Sequence, residues 1–152
     1  MTVLPFKQVD VFTSRPFYGN PVAVVIGAEG LDSAAMQRIA AWTNLSETTF
    51  LLRPTQAGAD YRLRIFTPRQ ELPFAGHPTL GSAHAALESG FVEAANGKLK
   101  QECGAGVLDL AIEDPSGPTF IDYPLDVVFT EAEVEIPPPP SPGPARAAEG
   151  VE

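Results

Sequence analysis

Two segments carry side chains that could move a proton or hold an anion. The first is Asn44-Leu45-Ser46-Glu47-Thr48-Thr49-Phe50-Leu51-Leu52, where a carboxylate stands at the change from a helical pattern to a β-rich run. A carboxylate works as a general base when its pKa lies near the working pH, and burial raises a carboxylate's pKa in that direction. Leu45, Phe50 and Leu51 are apolar neighbours able to supply burial. By residue type alone, Glu47 serves equally well as a capping or paired carboxylate at a strand start. The second segment runs from Phe66-Thr67-Pro68 through Glu71-Leu72-Pro73-Phe74-Ala75 to Gly76-His77-Pro78-Thr79. It reads as a polar loop that turns into a helix, with Pro78 at the first helical position, where a missing N–H costs nothing. The free amides and positive dipole end of such a start suit a carboxylate, and Gly76 permits close backbone approach. His77 could donate to a carboxylate or carbonyl, or relay a proton; as a bland alternative it is a helix-start histidine satisfied by backbone.

These residues need elements to hold them. Val3 to Phe12 and Pro21 to Ile26 read as strands around a turn rich in Pro, Gly and Asn, Ser14 to Asn20. Asp32 or Ser33 can cap a helix reaching Thr43, with Ala35, Met36, Ile39, Ala40 and Trp42 at helical spacing as its core stripe. Thr48 to Arg53 and Asp60 to Phe66 are strands, and Thr79 to Glu88 is a second helix stopped at Gly90. Three short strands follow: Lys98 to Glu102, Val107 to Ile112 and Thr119 to Asp122. About seven strands and two helices predict an α+β protein with a curved, mixed or antiparallel sheet. The run Gly81 to Ala86 consists of small residues around His84, which predicts enclosure, so the second helix is placed inside a barrel-like sheet. His84, seven residues beyond His77, reads as a packed helix residue, and no ligand set for a metal converges on it.

The chain has 152 residues, enough for one domain with a sizeable core. Its 10 basic and 19 acidic residues leave a net charge of −9, which argues against nucleic acid and anionic membranes as partners. One cysteine, Cys103, excludes an internal disulfide and fits a reducing, cytoplasmic setting. No signal peptide is expected, because no basic segment precedes an apolar run at the N-terminus. Residues 1–130 are read as the domain. Residues 131–152 hold six prolines, five glutamates, one arginine and no aromatic residue, and are read as a disordered tail or an interdomain linker.

Three stretches, in this order and spacing, resemble the phenazine-biosynthesis isomerase family, the PhzF-like proteins. They are Val9-Asp10-Val11-Phe12-Thr13 through Gly19-Asn20-Pro21-Val22-Ala23-Val24-Val25, then Leu45 to Phe50, then Phe66 through Leu80. The resemblance runs from about Val3 to Pro124. It implies the N-terminal half of a diaminopimelate-epimerase-like fold, in which each half is a β-barrel around a central helix and two halves face each other across a cleft. It also implies a cofactor-independent isomerase acting on a small carboxylate-bearing substrate. On that pattern Glu47 is the catalytic acid/base, and Ser46, Gly76, His77, Pro78 and Thr79 bind substrate, with no metal. Asn20 would support the site through a hydrogen bond, although turn geometry explains it almost as well. The related amino-acid epimerases carry a thiol directly before the helix-start glycine; Ala75 stands there in this chain, so two-thiol racemisation is not expected. Family members are near twice this length, so a truncated, non-catalytic binding module is the alternative, and homodimerisation could supply a second wall to the site.

Overall fold

The run Val22-Ala23-Val24-Val25-Ile26 is buried residue by residue, and the molecule is layered about it. In the computed structural model, which describes residues 3–13, 15–112 and 119–120, this run belongs to strand β2 (Asn20–Ile26). A strand loses the alternation of polar and apolar residues when both its faces are covered. Helix α2 (Gly76–Glu88) covers one face and helix α1 (Ser33–Thr43) the other. The first core gathers Val9, Val11, Val22, Val24, Leu51, Leu63 and Ile65 against Leu80, Ala83 and Ala86 of α2. The second gathers Val25, Phe50 and Phe66 against Met36 and Ala40 of α1, with Phe50 and Phe66 edge to face at 5.5 Å.

The sheet has eight strands: β1 (Phe6–Val11), β2, β3 (Glu47–Leu52), β4 (Tyr61–Phe66), β5 (Glu71–Leu72), β6 (Lys98–Cys103), β7 (Gly106–Ile112) and β8 (Thr119–Phe120). The order is β1-β2-β3-β4-β6-β7-β8, with β5 paired to β4. Pairing is antiparallel except at β2–β3 and β4–β6, and the two helices are the crossovers that parallel neighbours require. The two-residue β5 and a short 3-10 turn at Ala28–Gly30 carry no periodicity long enough to be read in sequence.

The barrel expected from sequence is not formed. Among the described residues β1 and β8 are separate edges and do not pair. Helix α2 packs against both β1 and β8, so it fills the space between the two ends. Its enclosure, correctly expected from the small residues, comes from an open curved sheet. Gly81 has no room for a side chain: a Cβ there would collide with Val22 and approach Val11 Cγ2 to 3.0 Å.

Helix α1 begins as expected, with the Asp32 carboxylate accepting from the Ala35 amide at 2.7 Å. Its predicted stripe is corrected at one end. Trp42 is 73% exposed, because Met36 and Ala40 already fill the helix–sheet contact. Trp42 instead borders an open depression on α1 with Ala35, Arg38 and Ile39. Helix α2 begins three residues earlier than predicted, at Gly76, which makes Pro78 the third helical residue. The first-turn amides have no carbonyl within the helix, so proline is tolerated there as well. The tail read from residues 131–152 lies outside the described residues.

Candidate functional site

Five element ends meet at one end of the sheet. Val11, the last residue of β1, pairs with Asn20, the first of β2. Glu47, the first of β3, lies beside Val22, and Thr48 beside Phe66, the last of β4. The start of α2 comes to the same place, because His77 reaches both Glu47 and Pro21. Two parallel strands beginning side by side, with a helix N-terminus beside them, bring a carboxylate to a helix-start histidine.

Glu47 Oε2 stands 3.4 Å from His77 Nε2, with their side chains 16% and 10% exposed. Both atoms are buried and neither has a hydrogen-bond partner. Buried polar atoms are nearly always bonded, so an orphaned pair facing each other requires an explanation. Strand alternation puts Glu47 on the face of Thr49 and Leu51, toward α2, and Phe50 on the opposite face. The burial of Glu47 therefore comes from the α2 side, and Phe50, named in the sequence reading, packs elsewhere. Below Glu47, Thr49 Oγ1 donates to the Ala23 carbonyl at 3.2 Å and lies 2.7 Å from Ser82 Oγ.

The other nitrogen of His77 sets its tautomer. The ring faces the backbone at Pro21, which has no N–H, so the group there is the carbonyl, and it favours a proton on the nitrogen that faces it. Nε2 has no partner, and so the donor is Nδ1. In the neutral ring, Nε2 then presents a lone pair to the Glu47 carboxylate. Two acceptors 3.4 Å apart are brought into agreement by one proton placed between them. Burial pushes the His77 pKa below its ordinary value, while Glu47 and the Pro21 carbonyl act in the opposite sense.

The helix start divides its residues between site and core. Ala75 caps α2 with extended backbone (φ −154°, ψ 142°) and no side-chain bond, so no protein group claims the first amides from that position. Nothing lies within 4 Å of where a Cβ on Gly76 would be, so the space beside the first helical residue is open. Pro78 has no amide to give. Thr79 turns inward: its amide bonds the Ala75 carbonyl at 3.4 Å, and its buried hydroxyl accepts from Gln101 Nε2 at 3.2 Å. Gln101 in turn accepts from the Tyr61 hydroxyl at 2.9 Å. Ser46 is exposed immediately before Glu47, and Asn20 is half-buried at the start of β2. Among the described residues no three His, Cys, Asp or Glu side chains gather to hold a metal.

Two contributors were not legible in the sequence. The Pro21 carbonyl is a backbone group with no residue-type signature. Phe12 brings its ring to 6.3 Å from the His77 ring, and only the fold joins the two loops. His84 lies on α2 away from this pair, near Glu88 at 3.6 Å, and is largely buried.

The chain is thus a mixed α+β protein in which a helix start stands beside a strand-end carboxylate. The chain belongs to the phenazine biosynthesis-like (PhzC-PhzF) family, whose sequence profile matches residues 9–122. It is 54% identical over 126 residues to antisense-enhancing sequence 1 of Schizosaccharomyces pombe, covering 82% of this chain and 43% of that protein. It is 48% identical over 112 residues to trans-2,3-dihydro-3-hydroxyanthranilate isomerase of Pseudomonas aeruginosa, covering 74% and 38%. The crystal structure of a Bacillus anthracis phenazine biosynthesis protein of the PhzF family superposes with a TM-score of 0.66 at 38% identity, over 73% of this chain and 36% of that one. The chain thus spans less than half the length of these relatives. The family resemblance drawn from the three motifs is confirmed. No described helix is long and apolar enough to cross a membrane.

Proposed function

We propose that this chain carries the acid/base portion of a PhzF-like isomerase site, which moves a proton between carbons of a small carboxylate-bearing substrate without a cofactor. Glu47 takes a proton from a carbon activated by the substrate's carboxylate or carbonyl and returns it to another carbon of the same π-system. The amides of Gly76 and His77 hold the substrate's carboxylate and the negative charge that develops on it, as fixed dipoles do at a helix start. His77, facing Glu47, shares the proton during the transfer. Ser46 flanks the base, while Pro78 and Thr79 fix the geometry of the turn. One relative is named as an isomerase of trans-2,3-dihydro-3-hydroxyanthranilate, and an unsaturated cyclic acid is the substrate class we assign. The observation that carries the reading is the buried, unpartnered pair Glu47 Oε2 and His77 Nε2 at 3.4 Å.

Wash-in of solvent deuterium at carbon tests the role of Glu47. The assay uses the form of the protein that turns over, whether an oligomer of this chain or a longer version of it. Glu47→Gln keeps the shape and removes the base, and exchange is expected to fall by about 10²-fold or more. Wild-type exchange in the variant would remove Glu47 from the mechanism. The second reading, a ligand-binding module without chemistry, is favoured if carboxylates bind but no form exchanges.

A further inference from the structure

The loop between β1 and β2 holds two bulky residues in the left-handed region, Phe12 (φ 67°) and Phe17 (φ 73°). Such backbone is a genuine outlier for a bulky side chain and persists only when something outweighs it. For Phe17 that is not side-chain burial, since the residue is 85% exposed. What holds it is Asp10. This β1 carboxylate is only 6% exposed, and its Oδ2 accepts the Phe17 amide at 2.7 Å. A bond from an amide to a buried carboxylate is among the strong ones. Gly19 closes the same loop so tightly that a Cβ there would collide with the Asp10 carboxylate and the Val11 carbonyl. Between these anchors the chain turns Phe12 toward His77, with the rings 6.3 Å apart.

We propose that Asp10 is a positioning residue for the candidate site: by tethering the Phe17 amide it holds the loop that lays Phe12 over His77 and keeps water from the Glu47–His77 pair. Asp10 itself touches neither substrate nor the reacting atoms. The groups packed on His77 are Glu47 from β3, the Pro21 carbonyl from β2 and the Phe12 ring, and Glu47 is the charged one among the described residues. The proposal rests on the acid/base reading for its consequence, but its test needs no turnover and so fails independently of that reading.

The chain has two histidines, so ring NMR titration reports on His77 with His84 as an internal control. Loss of cover raises the proton affinity of a desolvated imidazole, whereas loss of a nearby anion lowers it; the two explanations of any effect differ in sign. Asp10→Ala removes both charge and acceptor, and is expected to raise the His77 midpoint by about 0.5 pH unit or more, roughly threefold in affinity. Asp10→Asn removes the charge but keeps an oxygen for the Phe17 amide, and is expected to stay near wild type. Phe12→Ala should match Asp10→Ala, with His84 unmoved in all three. Equal midpoints in Asp10→Ala and Asp10→Asn, or no shift in Phe12→Ala, would overturn the proposal. Should Asp10→Ala not fold, hydrogen exchange of the wild-type Phe17 amide decides. It is expected about tenfold or more below the unstructured rate, and an unprotected amide would refute the tether.

Discussion

His77 is held neutral by its surroundings and committed to one tautomer by a single carbonyl. Burial opposes a second proton, and the Pro21 carbonyl keeps the first on Nδ1. The ring therefore offers an acceptor for a proton carried by Glu47 or by an incoming acid, while the backbone amides supply the donors. His77→Ala should weaken binding of a small dicarboxylate by about tenfold, the loss of the hydrogen bond Nε2 makes to a carboxyl group when a proton is taken up with the ligand, while lowering stability by only about 1 kcal/mol. Calorimetric titration and urea unfolding read the two quantities, and equal affinity in wild type and variant would contradict a binding role. The second histidine makes a prediction about pH. Burial lowers the His84 pKa from 6.5 to about 4. The unfolded chain thus binds this proton more readily than the folded one. The neutral ring's contribution to stability is complete above about pH 6.5 and is lost as the pH falls toward 4. His84→Asn should flatten that part of the profile. We expect the wild-type-minus-variant stability difference to change by about 1–2 kcal/mol between pH 7 and 4.5, discounted for the ring's partial exposure. An unchanged difference in urea midpoints would show that His84 does not titrate in this window.

At the scale of elements, α2 does two jobs that pull its sequence in different directions. On the proposed function its first turn must leave amides free, and its middle must fit between β1, β2 and β3. The second demand explains Gly81-Ser82-Ala83, which is a poor helical sequence taken alone. Gly81→Ala would gain up to about 1 kcal/mol of helix propensity. It would also drive a methyl group into Val22 and against Val11. Overpacking in a closed site costs about 1–3 kcal/mol, so net destabilisation is expected, read as a lower urea midpoint at unchanged slope. A gain in stability would mean that β1 and β2 yield without cost. The same crowding accounts for the exposure of Trp42: α1 meets the sheet through Met36 and Ala40, and a side chain as large as tryptophan had to go outward.

On the scale of the whole molecule, the described residues cover the site on one side. The sheet, α2 and Phe12 shield the Glu47–His77 pair, while Gly76 opens onto space and Phe17, Tyr18 and Phe74 stand exposed nearby in sequence. A preorganised, water-free cavity is what makes fixed dipoles effective in a transition state. We therefore expect the 152-residue chain as a monomer to show little or no proton exchange, and exposed aromatic surface to favour self-association. Mass measurement in solution, with exchange assayed on each separated species, tests both statements. Efficient turnover by a clean monomer would show that no second wall is needed.

What the sequence determined by itself were the local and the repeated features. Asp32 capped its helix, the β-branched run of β2 lay in the core, and the small residues of α2 signalled enclosure, because each depends on near neighbours in the chain or on composition. The three motifs, spaced as they are, were enough to identify the family. Only the tertiary structure decided that the sheet stays open, that Thr79 turns its hydroxyl to Gln101, and that Trp42 faces solvent. It alone joined Glu47 to His77, thirty residues apart in sequence, and brought Pro21, Phe12 and Asp10 to bear on them. The physical reason is the same in each case. Strand pairing, hydrogen-bond direction and the sharing of limited space between packed layers are relations between distant residues, and no local propensity or spacing encodes them.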